Sequence, residues 1–320
     1  MMKRVLAFLL ALMLAGAAAA EMVDDDDEDL SVSMEEITSA SAERDAVATP
    51  IPKSLLYQPI SWDAQVAPHP PHDECYLPDG AGYHDDSLDI AVSTYRAYDT
   101  TVMAVHVTLT DVSQFRANLS VPYPHKQEVL VSTMAKKARA VLAINGDFFM
   151  FHDEGIAMRN GVLYREKPTS ARDTLIVDQQ GDFHIIAPTT QSDWLKWKDN
   201  ALHVFCFGPA LVQDGVPLTD PEKVHLDLGK NKTTQRIAIG QVGPLEYLIL
   251  ATEGPENSGS RGLTIYEMAQ LCLDVGMTNA YNLDGGSSST IVLNNRKINS
   301  VSSNKNRPVG DCIWFPTLVP

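Results

Sequence analysis

The sequence predicts an α+β fold, a single domain with a mixed, hairpin-rich β-sheet flanked by a few helices. Two observations predict this class. Short β-branched segments outnumber helical ones, and several of them are separated by only two turn-forming residues. Two segments carry apolar residues at helical spacing, so a few helices should pack on the sheet. The composition is typical of a globular domain, since 44% of the residues are hydrophobic and 21% are charged.

Strand signals run through most of the sequence after residue 89. The stretch TVMAVHVTLT (101–110) alternates as a strand does, RIAIGQVGPLEYLILAT (236–252) predicts two strands, and VLAIN (141–145) and NAYNL (279–283) are short buried ones. Four two-residue turns predict hairpins: Asn160-Gly161, Gln180-Gly181, Asp214-Gly215 and Asn294-Asn295.

Helices are predicted in two places. The segment 126–140 has apolar residues near helical spacing, and a second helix begins after Thr264, where Glu267 completes a capping box, and stops at Gly276. In SDWLKWKD (192–199), the spacing of Trp194 and Trp197 suits either a packed helix or stacking on sugar rings.

The first 72 residues are predicted to direct export and to lie outside the folded domain. Residues 1–20 combine two basic residues, an apolar run and a final run of alanines, which predicts a secretory signal peptide. Residues 21–72 contain DDDDED and many prolines, which predicts a disordered leader. The folded domain is expected at 73–320, and the localisation as secreted or extracytoplasmic, in a bacterium.

The charge balance narrows the choice of partners. There are 25 basic and 41 acidic residues, a formal net charge of −16, which argues against nucleic acid and against docking on anionic lipid. With no second apolar run of spanning length, no stable membrane insertion is expected after signal cleavage. Cys75, Cys206, Cys272 and Cys312 predict either one or two disulfides or buried free thiols.

Three segments place polar residues at the ends of buried strands, where sites are common. In the first, Asn145 ends VLAIN, and Gly146 and Asp147 follow it. In the second, Arg236 opens an apolar strand and could hold a phosphate with two N–H groups. In the third, a glycine turn after NAYNL presents a carboxylate, backbone N–H groups and hydroxyls. That third group is Asp284, Gly285, Gly286, Ser287 and Ser288.

These segments together resemble the phosphodiester glycosidase family, which includes the catalytic domain of the lysosomal mannose-6-phosphate uncovering enzyme. The resemblance rests on INGDFF (144–149), QRIAIG (235–240), SRGLTIYEMAQLCLDVGMTNAYNLDGGSSST (260–290) and NRPVGDCIWF (306–315), and it covers roughly 85–315. One segment departs from the family pattern: TEGPENS (252–258) stands where relatives often have an Asp-Gly-Arg-like turn.

The resemblance implies hydrolysis of the sugar C1–O bond in a sugar-1-phosphodiester, with a cell-surface or extracellular phosphoglycan as substrate. It marks Asp284, Asp147 and Asn145 as catalytic, with Asp284 the more central carboxylate. It marks a second set as binding substrate or phosphate: Arg236, Arg307, Gly285, Gly286, Ser287, Ser288 and Gly146. No cofactor is required by this interpretation, although a divalent metal would be compatible with it.

Two alternatives belong to other classes. A metal-dependent phosphodiesterase would use Asp147, His152, Asp153 and Asp284 as ligands, but the usual His-x-Asp or His-x-x-x-His spacing is missing there. A non-catalytic domain would bind cell-surface glycopolymer through the same anion pocket.

Overall fold

Eighteen strands and three α-helices make up the residues described by the computed structural model, which are 69–187, 189–219, 231–255, 257, 259–300 and 306–320. In chain order the strands are β1 (Gly82–His84), β2 (Leu88–Ala97), β3 (Thr100–Leu109), β4 (Arg116–Leu119), β5 (Leu142–Asn145), β6 (Gly155–Arg159), β7 (Val162–Lys167), β8 (Thr174–Asp178), β9 (Phe183–Ile186), β10 (Ala201–Phe205), β11 (Ala210–Gln213), β12 (Val216–Pro217), β13 (Ile237–Gly243), β14 (Glu246–Thr252), β15 (Asn279–Asn282), β16 (Ile291–Leu293), β17 (Arg296–Lys297) and β18 (Asp311–Phe315). The helices are α1 (Val131–Ala138), α2 (Gln191–Trp197) and α3 (Ile265–Asp274).

The strands form three sheets. The largest has the order β1-β2-β3-β14-β13-β15-β11-β12, and two five-stranded sheets have the orders β7-β6-β10-β8-β9 and β17-β16-β5-β18-β4. The α+β class and the single domain are thus confirmed. Every strand pairing in the described residues is antiparallel, so three antiparallel sheets stand in place of the one mixed sheet expected from the sequence.

One apolar core lies between the sheets. Buried side chains of all three sheets meet in it, among them Ile90, Phe205 and Ile313. The ring of Phe115 lies 5.1 Å from the ring of Tyr247 and 5.3 Å from that of Phe315, so it contacts two of the sheets at once. Aromatic edge contacts of this kind add to the burial of apolar surface.

The predicted hairpin turns are all present. Asn160-Gly161 joins β6 to β7, and both residues have positive φ, 51° and 75°. Asn294 and Asn295 join β16 to β17 with φ of 50° and 59°. Turns that need positive φ favour asparagine and glycine, which is why these dipeptides could be read from the sequence.

The predicted helices form, but one is shorter than its pattern indicated. α3 has its capping box, with Glu267 N–H donating to Thr264 Oγ1 at 3.2 Å. α1 begins only at Val131, because Val129 exchanges backbone hydrogen bonds with Val309 and is therefore extended. Trp194 and Trp197 lie on α2, and Trp194 is buried.

The first described residues lie against the C-terminal segment. His69 forms a β-bridge with Thr317, so the structure places residues 69–72 against the C-terminal segment. Residues 1–68, which carry the predicted signal peptide and most of the leader, lie outside the described residues.

All four cysteines are free thiols; Cys272 and Cys312 belong to different apolar clusters. No helix among the described residues is long and apolar enough to span a membrane.

Candidate functional site

The three polar segments singled out in the sequence converge on one loop, residues 284–290. The buried Asn145 side chain at the end of β5 donates from Nδ2 to the Asp284 carbonyl at 2.8 Å. Its Oδ1 accepts a hydrogen bond of 3.0 Å from the backbone N–H of Thr290. The backbone N–H of Gly286 donates to the Gln235 carbonyl just before β13, at 3.0 Å. The loop is thereby held at both of its ends.

Two glycines are needed for this convergence because the backbone segments approach closely. A Cβ on Gly285 would lie 2.9 Å from the Gln235 carbonyl oxygen, and a Cβ on Gly146 would lie 2.4 Å from the Asp311 carboxyl. Real Cβ atoms do not approach other atoms that closely, so any larger residue would push the segments apart. The glycines therefore act through the space they leave between β5, β13 and β18.

Asp284 is the half-buried carboxylate of this loop. Burial raises the pKa of its carboxyl above the ordinary range, since a buried carboxylate loses hydration. The Ser288 side chain and the positive charge of Arg307 lower the pKa, while the negative charges of Asp147 and Glu128 raise it further. A carboxylate with a perturbed pKa and a cationic neighbour is a candidate for chemistry.

Asp147, by contrast, belongs to a buried ion-pair triad beneath the loop. Its Oδ1 accepts from Arg159 Nη2 and from the Phe149 N–H, both at 3.0 Å, and its Oδ2 accepts from the Cys206 N–H at 2.8 Å. Arg159 Nη2 also donates to Asp311 Oδ2 at 2.6 Å. Both carboxylates and the guanidinium are almost fully buried.

The charges in this triad depend on one another. Burial disfavours the charged form of Arg159, but the two carboxylates outweigh this effect and raise its pKa. Burial likewise raises the pKa of Asp311 well above its usual range, with the negative charge of Asp147 adding to the effect and Arg159 opposing it. The triad joins the turn after β5 to β6 and β18, so it fixes the floor of the candidate site.

Arg236 lies directly before β13 with its side chain turned to backbone carbonyls. Its Nε donates to the Leu263 carbonyl at 2.9 Å and its Nη2 donates to the Lys232 carbonyl at 3.0 Å. Burial lowers its pKa to about 10, and Glu267 opposes that shift. These contacts tie the loop before β13 to the start of α3, and a phosphate contact by Arg236 stays a prediction.

The serines after the glycines lie on and just past a 3₁₀ turn, Gly286–Ser288. Ser287 is half-buried, and Ser288 is fully buried beside Asp284. In the described part of the chain, the buried hydroxyls of Ser289 and Thr290 have no hydrogen-bond partner. Buried hydroxyls usually find a partner, so these two are available to a bound water or ligand.

A pocket of about 260 Å³ opens beside the turn after β5, where the Phe149 N–H donates to Asp147. Its walls include Tyr123 and Lys126 on one side, and Phe149, Arg165 and Lys167 on the other. Phe149 lies two residues beyond Asp147, which relates the pocket to the triad.

The residues of the metal-site alternative do not come together. His152 Nδ1 lies 2.6 Å from the Glu154 carbonyl, Asp153 pairs with Lys126, and Asp147 is held by Arg159. Over the described ranges, no group of three or more His, Cys, Asp and Glu side chains is arranged to hold a metal ion.

Three residues at the site were missed in the sequence analysis: Glu128, Arg159 and Asp311. Arg159 and Asp311 carried a usable signal, since each is a charged residue at the end of an otherwise apolar strand, as Arg236 is. Glu128 carried no such signal. Its charge acts on Asp284, but the sequence does not reveal that the loop carrying Glu128 approaches Asp284.

A comparison with protein-family models identifies the family of this chain. Residues 138–315, more than half of the chain, match the family model described as phosphodiester glycosidase. The chain belongs to the phosphodiester glycosidase family. The matched range contains Asn145, Asp147, Arg236, Asp284 and Arg307, so the resemblance stated from the sequence is confirmed.

Among individual proteins, one relative is similar in sequence and two solved structures are similar in fold. An SPbeta prophage-derived uncharacterized protein of Bacillus subtilis is 30% identical over 188 residues, which is 57% of this chain and 29% of that protein. The zebrafish N-acetylglucosamine-1-phosphodiester alpha-N-acetylglucosaminidase catalytic domain, auto-inhibited by its pro-peptide, has a TM-score of 0.59 at 17% identity, covering 74% of this chain and 86% of that one. A hypothetical protein from Synechocystis has a TM-score of 0.52 at 14% identity, covering 72% and 62%.

Proposed function

We propose that this chain hydrolyses the bond between the anomeric carbon of a sugar and a phosphate oxygen in a sugar-1-phosphodiester. The observation that carries the proposal is the half-buried Asp284, held beside the charge of Arg307 where the three segments meet. Membership of the phosphodiester glycosidase family supports the same reaction class.

The reaction needs modest catalytic help at the leaving group. Water adds to C1, the C1–O bond breaks, and its electron pair leaves on the oxygen of a phosphate monoester that is already stable as an anion. Strong general-acid assistance is therefore less necessary than for an ordinary glycoside, where two carboxyl groups divide the work. The remaining tasks are to stabilise charge on the phosphate and to activate the nucleophile.

The contacts support a division of roles. Asp284 is the catalytic carboxylate, as base or nucleophile, and Arg307 faces the phosphate. Asn145 and Asp147 hold the loop and its floor, since their polar atoms are occupied by protein donors and acceptors. The N–H groups of Gly285 and Ser287 and the half-buried Ser287 hydroxyl bind the phosphate oxygens, and Arg236 orders the segment behind them.

We further propose that the protein is exported and acts on a cell-surface or extracellular phosphoglycan. The support is the signal-like segment at 1–20 together with the acidic leader. N-terminal sequencing of the protein recovered from its host tests the export: cleavage near Ala20 is expected, and an intact N-terminus in the cytoplasm would contradict it.

A release assay tests the activity. The protein is incubated with a small panel of sugar-1-phosphodiesters, with and without EDTA, and free reducing sugar and phosphate monoester are measured separately. Both products should appear together. Asp284→Asn should lower the rate by about 10² to 10⁴, the range typical of losing a catalytic acid or base. Asp86→Asn, a change at an exposed acidic residue on the β1–β2 turn, serves as the matched control.

Other outcomes point to the alternatives. Release of sugar 1-phosphate only in the presence of metal would mean cleavage between phosphorus and oxygen, and would overturn the proposal. Binding of the panel without any product would favour a glycopolymer-binding domain. An Asp284→Asn variant that folds normally and keeps full turnover would remove Asp284 from the mechanism.

A further inference from the structure

The pocket lined by Phe149 and Arg165 carries a local positive charge in an acidic protein. Of the residues that line it, Lys126, Arg165 and Lys167 are cationic, and Asp153 is the one carboxylate. The chain as a whole has a formal net charge of −16. A cationic cavity on such a surface focuses anions toward itself.

The cations are incompletely neutralised within the protein. Lys126 pairs with Asp153 at 3.4 Å, but both side chains are largely exposed, so the pair is weak. Arg165 is buried and donates to the carbonyls of Gly155 and Phe149; within the described ranges it has no carboxylate at ion-pair distance. Lys167 likewise has no ion-pair partner among the residues described. An anionic ligand would supply the missing negative charge.

The pocket also has an apolar wall and lies against the triad, since the Phe149 N–H donates to Asp147, whose charge acts on Asp284. Tyr123, an exposed aromatic residue, offers ring surface to an uncharged part of a ligand. Lys126 lies two residues from Glu128, whose charge acts on Asp284, so their Cα atoms are within about 8 Å of each other. A Cβ on Gly310, three residues after Arg307, would lie 2.7 Å from Met150 Sδ on the pocket wall.

From these observations we infer that the pocket is a subsite for the aglycone side of the substrate and binds a second anionic group there. This inference rests on the proposed function, because it places the sugar C1–O bond at Asp284. The preferred substrate is then a sugar-1-phosphodiester whose aglycone carries a further phosphate or carboxylate. A phosphate-linked polymer presents such a group in its next repeat.

The test compares two substrates of the full chain. One is a sugar-1-phosphodiester with an uncharged methyl aglycone, and the other has an aglycone that ends in a second phosphate. Lys126→Ala combined with Lys167→Ala should lower kcat/KM about tenfold for the charged aglycone and leave the methyl substrate unchanged. Asp153→Asn should raise kcat/KM for the charged aglycone. Lys136→Ala, on the exposed face of α1, is the matched control.

A binding measurement separates this inference from the proposed function. Glycerol 1-phosphate is titrated into the same proteins and observed by NMR. If neither substrate is cleaved but binding weakens in the double variant and not in Lys136→Ala, the reaction is wrong and the anion subsite stands. If both substrates are cleaved equally well and the double variant changes neither kcat/KM nor binding, the subsite does not exist.

Discussion

Some neighbours of Asp284 raise the pKa of its carboxyl and others lower it, and this balance suits the residue to a reaction near neutral pH. Burial and the charges of Asp147 and Glu128 raise the pKa of its carboxyl, while Arg307 and Ser288 hold the increase in check. A base works best when its pKa is not far below the working pH. The family resemblance identified the residue, but only the structure shows which neighbours set its proton affinity.

The pH profile provides a direct measure of this balance. If Asp284 acts as a carboxylate, kcat/KM falls on the acid side as the pH drops through its raised pKa. Arg307→Gln removes a positive charge that favours the ionised form, so the pKa of Asp284 rises and the acid limb moves to higher pH. The kcat/KM profile is measured for both proteins, with Arg296→Gln as a control at an exposed arginine. An unmoved acid limb in Arg307→Gln would contradict the assignment.

At the scale of elements, the site depends on three strand ends being held together by buried polar groups. The Asn145 amide connects β5 to the loop after β15, and Arg159 connects β6 to the turn after β5 and to β18. Each of these groups would be costly to bury alone, but each has partners. Glycines at 146 and 285 allow the backbones to approach closely enough for these contacts.

Arg159→Met tests the role of the triad in stability. The change leaves two buried carboxylates without their cation, so the free energy of unfolding should fall by about 3–5 kcal/mol, as when one partner of a buried pair is removed. Denaturant unfolding followed by circular dichroism measures it. Lys196→Met, which breaks an exposed pair with Asp193 on α2, should leave the midpoint nearly unchanged. Equal effects of the two changes would show that the triad does not hold the strand ends.

Local elements could be predicted from the sequence where local chemistry determines them. The turn at Asn160-Gly161 and the capping box at Thr264 act within a few residues, and both are present. The start of α1 depends instead on Val309, which lies 180 residues after Val129 and holds it in an extended conformation. The ion pairs of Arg159 with Asp147 and Asp311 likewise join residues that are distant in sequence.

At the scale of the whole molecule, the shared apolar core should make the three sheets unfold together. The core cluster takes buried side chains from all of them, and Phe115 contacts two sheets. Trp194 lies against the β6–β10 sheet and Trp314 lies on β18, so the two report on different sheets. Thermal unfolding of Trp194→Phe and Trp314→Phe, followed by fluorescence and circular dichroism, should give coincident transitions for the two probes in each protein. Separate midpoints for the two probes would mean that the sheets are independent units.

Some residues of the site could be predicted from the sequence, whereas the pocket could not. Asn145, Asp147, Arg236 and Asp284 were found because each interrupts an apolar strand end and matches a family motif. The pocket near Asp147 is assembled from the 123–126 loop, the segment after Asp147 and β7. No local pattern connects these three segments, so its cationic character emerges only from the fold.

The position of bond cleavage tests the central claim most directly. The reaction is run in water enriched in ¹⁸O on a sugar-1-phosphodiester that the protein consumes, and the products are analysed by mass spectrometry. The account predicts that the label enters the C1 hydroxyl of the released sugar and that the phosphate monoester stays unlabelled, because the C1–O bond is the one that breaks. Label in the phosphate product would mean that the phosphorus–oxygen bond breaks, and would contradict the account.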